Sequence, residues 1–120
     1  MNPRSAINKG KRLENAICHE IEEMGLGAAR RESGSGSGKN KGDIFANLPF
    51  LIEAKNQKKM NWWKDIDQAK HQAEIGNWNH DKWALVVNDP RTAEFEHLYC
   101  VIDFWEFLKL LKKDKEPIIK

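Results

Sequence analysis

Asp43 and Glu53 stand at equal distances from Leu48 within GDIFANLPFLIEAK, the segment from Gly42 to Lys55. Residues 42–47 and 50–56 predict two strands around a turn at Asn47-Leu48-Pro49. A hairpin symmetric about Leu48 sets Asp43 directly opposite Glu53, with Cβ atoms roughly 4.5–5.5 Å apart on one face. Lys55 lies two residues past Glu53 and shares that face. A bulge would shift this register. Ile44, Ala46, Phe50, Ile52 and Ala54 fill the other face, and Phe45 and Leu51 sit beside the charges. Both faces are partly apolar, which favours a central strand pair over a surface ribbon carrying an ion cluster.

Two like charges opposed across strands destabilise a sheet, so something must offset them. A divalent cation does so, and hard oxygen ligands suit Mg²⁺. Such an ion polarises a phosphate and acidifies an attacking water, while Lys55 can hold that water or neutralise growing negative charge. The expected chemistry is phosphodiester hydrolysis.

The rest of the chain supplies a scaffold. Leu13, Ile17, Ile21 and Met24 form one apolar stripe of a helix over residues 8–24, ended by Gly25 and Gly27. Ala28 to Glu32 reads as a short strand, and SGSGSGKNKG, Ser33 to Gly42, as a flexible loop. Residues 61–77 read as a second helix with Trp62, Ile66, Ala69 and Ala73 on one stripe. Trp83 to Asn88 and His97 to Ile102 read as strands, the first stopped by Asp89-Pro90. Asp103 can cap a last helix reaching about Lys113. The order α-β-β-β-α-β-β-α predicts a single mixed α/β domain, a central sheet with helices on both sides.

In a chain of 120 residues with a net charge of +2, the distribution of charge says more than the total. Residues 1–60 hold eleven Lys/Arg against seven Asp/Glu, and residues 61–120 hold nine against eleven. Arg30, Arg31, Lys39, Lys41, Lys55, Lys58, Lys59 and Lys64 crowd one region, a patch that can attract a polyanion. Alone it would read as a solvated face; its position around the carboxylates favours binding. Cys18 and Cys100 sit in apolar contexts without a CxxC pair, as reduced core residues do. His19, His71, His80 and His97 show no metal-ligand spacing. Trp62 and Trp63 are expected to pack in a core or interface, with stacking on exposed bases as the alternative. No segment reads as a membrane span or a secretory signal, so the expectation is a cytoplasmic protein. The last helix carries Phe104, Trp105, Phe107, Leu108, Leu110 and Leu111, too many for one face. The stripe Phe104, Leu108 and Leu111 is expected to enter the core and the remainder to bury against a second chain.

Asp43, nine residues, then Glu53-Ala54-Lys55 resembles the PD-(D/E)xK nuclease signature. Lys9-Gly10 followed by Glu14 on the first helix, Arg31 before the Ser-Gly loop, GDI and IEAK, in that order, resemble archaeal-type Holliday junction resolvases. The resemblance covers about residues 8–60. It departs in having Gly42 where Pro is usual and in a longer Ser-Gly loop.

The resemblance implies a restriction-endonuclease-like fold and a homodimeric, Mg²⁺-dependent endonuclease, with Mn²⁺ able to substitute, that cuts four-way DNA junctions symmetrically. It implies Asp43, Glu53 and Glu14 as metal ligands and Glu14, Asp43, Glu53 and Lys55 as the catalytic set. DNA contacts would come from Lys9, Arg30 or Arg31 (Arg31 fitting the spacing better) and Ser33 or Ser35, and the basic patch adds Lys39, Lys41, Lys58 and Lys59. Gln68, and with it Gln72, could support the site, or simply belong to an exposed helix face. Two other readings stay open: a nuclease of the same fold acting on linear or single-stranded DNA, and a binding module without catalysis.

Overall fold

A computed structural model describes residues 3–32, 43–76, 78–79 and 81–115. Among the described residues, three helices and five strands follow the expected order: α1 (Pro3–Glu23), β1 (Ala29–Arg31), β2 (Ile44–Ala46), β3 (Leu51–Lys55), α2 (Trp62–Ile75), β4 (Trp83–Asn88), β5 (Leu98–Ile102) and α3 (Phe104–Lys115). The strands make one mixed sheet in chain order, β1 to β5. Among the described strands only β3 and β4 pair in parallel, with α2 as their crossover. β3 is therefore the middle strand, covered on both faces.

The alternation read from the hairpin explains those faces. Ile44 and Ile52 turn to α1 and bury with Leu13, Ile17 and Ile21, with Ala46, Phe50 and Ala54 packed around them. Leu51 turns the other way, with Trp83, Leu85 and Val87, onto Ala69 and Ala73 of α2. Each buried Leu or Ile contributes about 1.5–3 kcal/mol to this arrangement. The small side chains of Ala69 and Ala73, both fully buried, let α2 lie close over β3 and β4.

Local signals set the element ends. Gly25 has φ 76°, and the N–H groups of Gly25 and Leu26 donate to the carbonyls of Glu22 and Ile21. This closes α1 with a left-handed glycine cap. Asp103 Oδ1 accepts from the N–H groups of Trp105 (2.9 Å) and Glu106 (3.1 Å), the expected cap of α3.

Four packing expectations are corrected. Met24 is exposed, because α1 ends at Glu23. Trp62 is half-exposed, and Asp65 takes the inward place on the first turn of α2, accepting from the Asn61 N–H at 3.3 Å. Cys100 lies exposed on edge strand β5, whereas Cys18 is buried, and both thiols are free. In α3, Phe104, Leu108 and Leu111 are exposed together with Trp105, Phe107 and Leu110. The inward residue there is Glu106, 2% exposed, which accepts from the ammonium groups of Lys82 and Lys109. A charged pair instead of an apolar stripe anchors this helix. Among the described residues no helix is long and apolar enough to cross a membrane.

Candidate active site

The hairpin is symmetric about Leu48, with Ile44 opposite Ile52. One residue further, the pattern changes. The Asp43 N–H donates to the Ile52 carbonyl at 3.0 Å, so Asp43 and Ile44 both face Ile52. This two-against-one arrangement is a bulge, and it corrects the expected direct opposition of Asp43 and Glu53. The bulge releases Asp43 from strict alternation. Its Oδ2 accepts from the Ala54 N–H at 2.8 Å, taking a donor on the β2 side of β3.

The two carboxyl groups nevertheless lie within electrostatic reach of each other. Glu53 is 5% exposed, and its Oε1 is buried without a hydrogen-bond partner. Burial pushes the Glu53 carboxyl up to about 8; the charge of Asp43 adds to the rise and Lys55 opposes it. Burial also raises Asp43, opposed by the Ala54 N–H, Glu53 and Lys55. Both shifts follow from placing two acids in a dry site with one nearby cation.

Lys55 occupies the expected face, toward α2, where its Nζ donates to Gln68 Oε1 at 3.1 Å. Gln68 thus belongs to the cluster. Gln72 is partly buried farther along α2, and its carbonyl accepts from the Gly76 N–H at the helix end.

Glu14 reaches the cluster from α1. Its carboxyl is raised, chiefly by burial and then by the charge of Asp43, with Arg31 opposing. Arg31 Nη1 lies 3.8 Å from Glu14 Oε1. Strand alternation separates the two arginines: Arg31 turns to Glu14, and Arg30 lies over the Phe45 ring at 4.9 Å. Among the described residues no three His, Cys, Asp or Glu side chains come close enough to hold a metal ion together. The assembled donors are the pair Asp43 and Glu53, with Glu14 within electrostatic reach.

Lys9 and Lys58 line a cleft of about 420 Å³ together with Gly10 and Lys55. Lys59 lies on the neighbouring cleft, with Trp62. Ser33, Ser35, Lys39, Lys41 and His80 lie outside the described residues. Two structural groups went unread in the sequence. Asn88 Nδ2 donates to Asn56 Oδ1 (3.2 Å), and Asn56 Nδ2 donates to the Lys9 carbonyl (3.1 Å), tying the ends of β4 and β3 to α1. Buried Asp89 gathers Arg91 and Tyr99. The available signal was a pair of polar residues, Asn88 and Asp89, closing an apolar strand.

Comparison with family models, curated proteins and solved structures gave no match.

Proposed function

We propose that this chain is a metal-dependent endonuclease that hydrolyses DNA phosphodiester bonds, with the four-way junction as its substrate and a restriction-endonuclease-like sheet as its scaffold. One observation carries the reading: Asp43, held by the Ala54 N–H, stands beside the buried Glu53 of the middle strand, next to a lysine held by a second helix. The Glu53 Oε1, buried without a hydrogen-bond partner, is an acceptor left open for a cation.

The residues fit a divalent cation. Asp43 and Glu53 offer hard oxygen donors suited to Mg²⁺, with Mn²⁺ able to substitute, and Glu14 adds negative charge nearby. When bound, the ion supplies Lewis-acid polarisation of the phosphate and a more acidic water. The protein's own groups supply the rest. Lys55 stabilises charge developing on the phosphate or holds the attacking water, and Gln68 fixes the direction of its ammonium group. Arg31 offsets the charge of Glu14 beside the acid pair. Lys9 and Lys58 line the cleft next to Lys55, where they can bind phosphates on either side of the scissile bond.

A homodimer joined through α3 belongs to this reading. That helix exposes a broad apolar surface, and a two-fold axis would present two sites to the two strands of a junction. Action on single-stranded DNA is the second reading, supported by half-exposed Trp62 beside Lys58 and Lys59.

The test is cleavage of a labelled four-way junction beside linear duplex and single strand, with Mg²⁺ and with chelator, alongside an Asp43→Asn variant. Paired symmetric cuts in the junction alone, absent in the variant although it still binds, are the expected result. Equal or better cutting of the other substrates would move the assignment to the second reading. Binding with no cutting under any metal would leave a DNA-binding module.

A further inference from the structure

Past the carboxyl ends of the parallel strands β3 and β4 lies a second cleft, of about 360 Å³. Crevices at this end of parallel strands are common ligand sites, and this volume is at the small-ligand end of their range. It shares Gln57 and Lys58 as a wall with the cleft that holds Lys9 and Lys55. The two clefts therefore adjoin, on either side of Lys58.

The lining has the chemistry of a nucleotide. Trp62 from the start of α2 and Tyr99 from β5 contribute aromatic rings that are 45% and 50% exposed. Lys58, Lys59 and Arg91 supply positive charge. Arg91 is held in place: Nε and Nη2 donate to Asp89 Oδ1 and Oδ2, both at 2.9 Å. The Tyr99 hydroxyl donates to the same Asp89 Oδ2 at 3.1 Å. Asp89 is buried, yet the Arg91 side chain is 81% exposed. Two of its five N–H donors are engaged by Asp89, and the fork keeps donors for a phosphate. One buried carboxylate thus orients both a cation and an aromatic ring of the same cleft, an ordering that a merely solvated patch does not need.

We propose that this cleft binds an unpaired nucleotide of the DNA strand being cut, with its base against Trp62 and Tyr99 and its phosphate on Arg91 and Lys58. The proposal rests on the nuclease reading for the strand's identity as substrate, and in a four-way junction it requires a base at the branch point to leave its stack beside the scissile phosphate. A base paired within a duplex keeps its faces stacked on its neighbours and cannot use the two rings.

Binding of the full chain to a fluorescein-labelled oligothymidylate and to a labelled duplex of equal length, both in chelator, tests this without reference to cleavage. Trp62→Ala should weaken oligothymidylate binding about ten-fold and leave duplex binding within two-fold. Trp62→Phe should restore most of the loss. Arg91→Gln should lower the slope of log affinity against log salt by about 0.7 for the oligothymidylate. Trp63→Ala, which removes a ring outside this cleft, should have little effect. Wild-type oligothymidylate binding by both Trp62→Ala and Arg91→Gln, or an equal loss on duplex and single strand, would overturn the proposal. If the wild type cuts no DNA under any metal but these binding differences appear, the nuclease reading fails while the nucleotide site stands.

Discussion

Lys55 on β3 donates a hydrogen bond to Gln68 on α2 at 3.1 Å, so the orientation of the lysine beside the acid pair depends on a helix 13 residues away in sequence. Lys55→Ala should lower single-turnover cleavage about 10²–10³-fold, as loss of one preorganised electrostatic group does. Gln68→Ala should lower it about ten-fold while leaving junction affinity in chelator unchanged, since the ammonium remains but loses its direction. Equal rates for Gln68→Ala and wild type would show that Lys55 needs no support.

Folding should depend on pH through Glu53. Its folded carboxyl titrates at about 8 against an ordinary 4.5, so between those values the folded protein binds a proton that the unfolded chain has released. Stability from this group is complete below the lower value and is lost as pH rises through the upper one. In chelator, the urea midpoint should therefore fall from pH 5 to pH 8 by about a few tenths molar or more. Glu53→Gln should flatten that slope, and Mg²⁺ should raise the midpoint most at the alkaline end. A flat profile for the wild type would count against the buried acid pair.

The anchorage of α3 should be electrostatic. Glu106 is buried between Lys82 and Lys109, and Lys82 holds its carboxyl below the ordinary range. Lys82→Ala should cost about 1–3 kcal/mol, less than a fully buried pair because the lysine is partly exposed. Lys82→Met with Glu106→Leu should recover much of that loss, because no buried charge is then left alone. Denaturant midpoints of Lys82→Ala and of the double variant, each against wild type, check this.

The exposed face of α3 should be covered by a second copy. Light scattering is expected to give about twice the 13.9 kDa chain mass. Trp105, 67% exposed, makes no contribution to the core, so Trp105→Glu should yield a folded monomer with unchanged circular dichroism. A monomeric wild type at working concentration would remove the dimer from the functional proposal.

Much of this architecture was readable in the sequence because it follows from short periods and local chemistry. Alternation about Leu48 gave the Ile44–Ile52 register and the apolar faces of β2 and β3. Gly25 and Asp103 marked helix ends through conformations and caps that involve only their neighbours. Asp43, Glu53 and Lys55 came together because they lie within one hairpin, where spacing and distance are closely linked.

Tertiary structure decided what spacing leaves open. The bulge at Asp43 depends on backbone pairing, which a side-chain pattern does not encode. Turning Arg31 to Glu14 and Arg30 to Phe45 required knowing which face of β1 meets α1. The bond from Lys55 to Gln68, the Asp89–Arg91–Tyr99 group and the charged anchorage of α3 join segments whose approach is set by packing across the whole sheet. The periodicity of an element tells which residues share a face, but only the folded chain tells what that face meets.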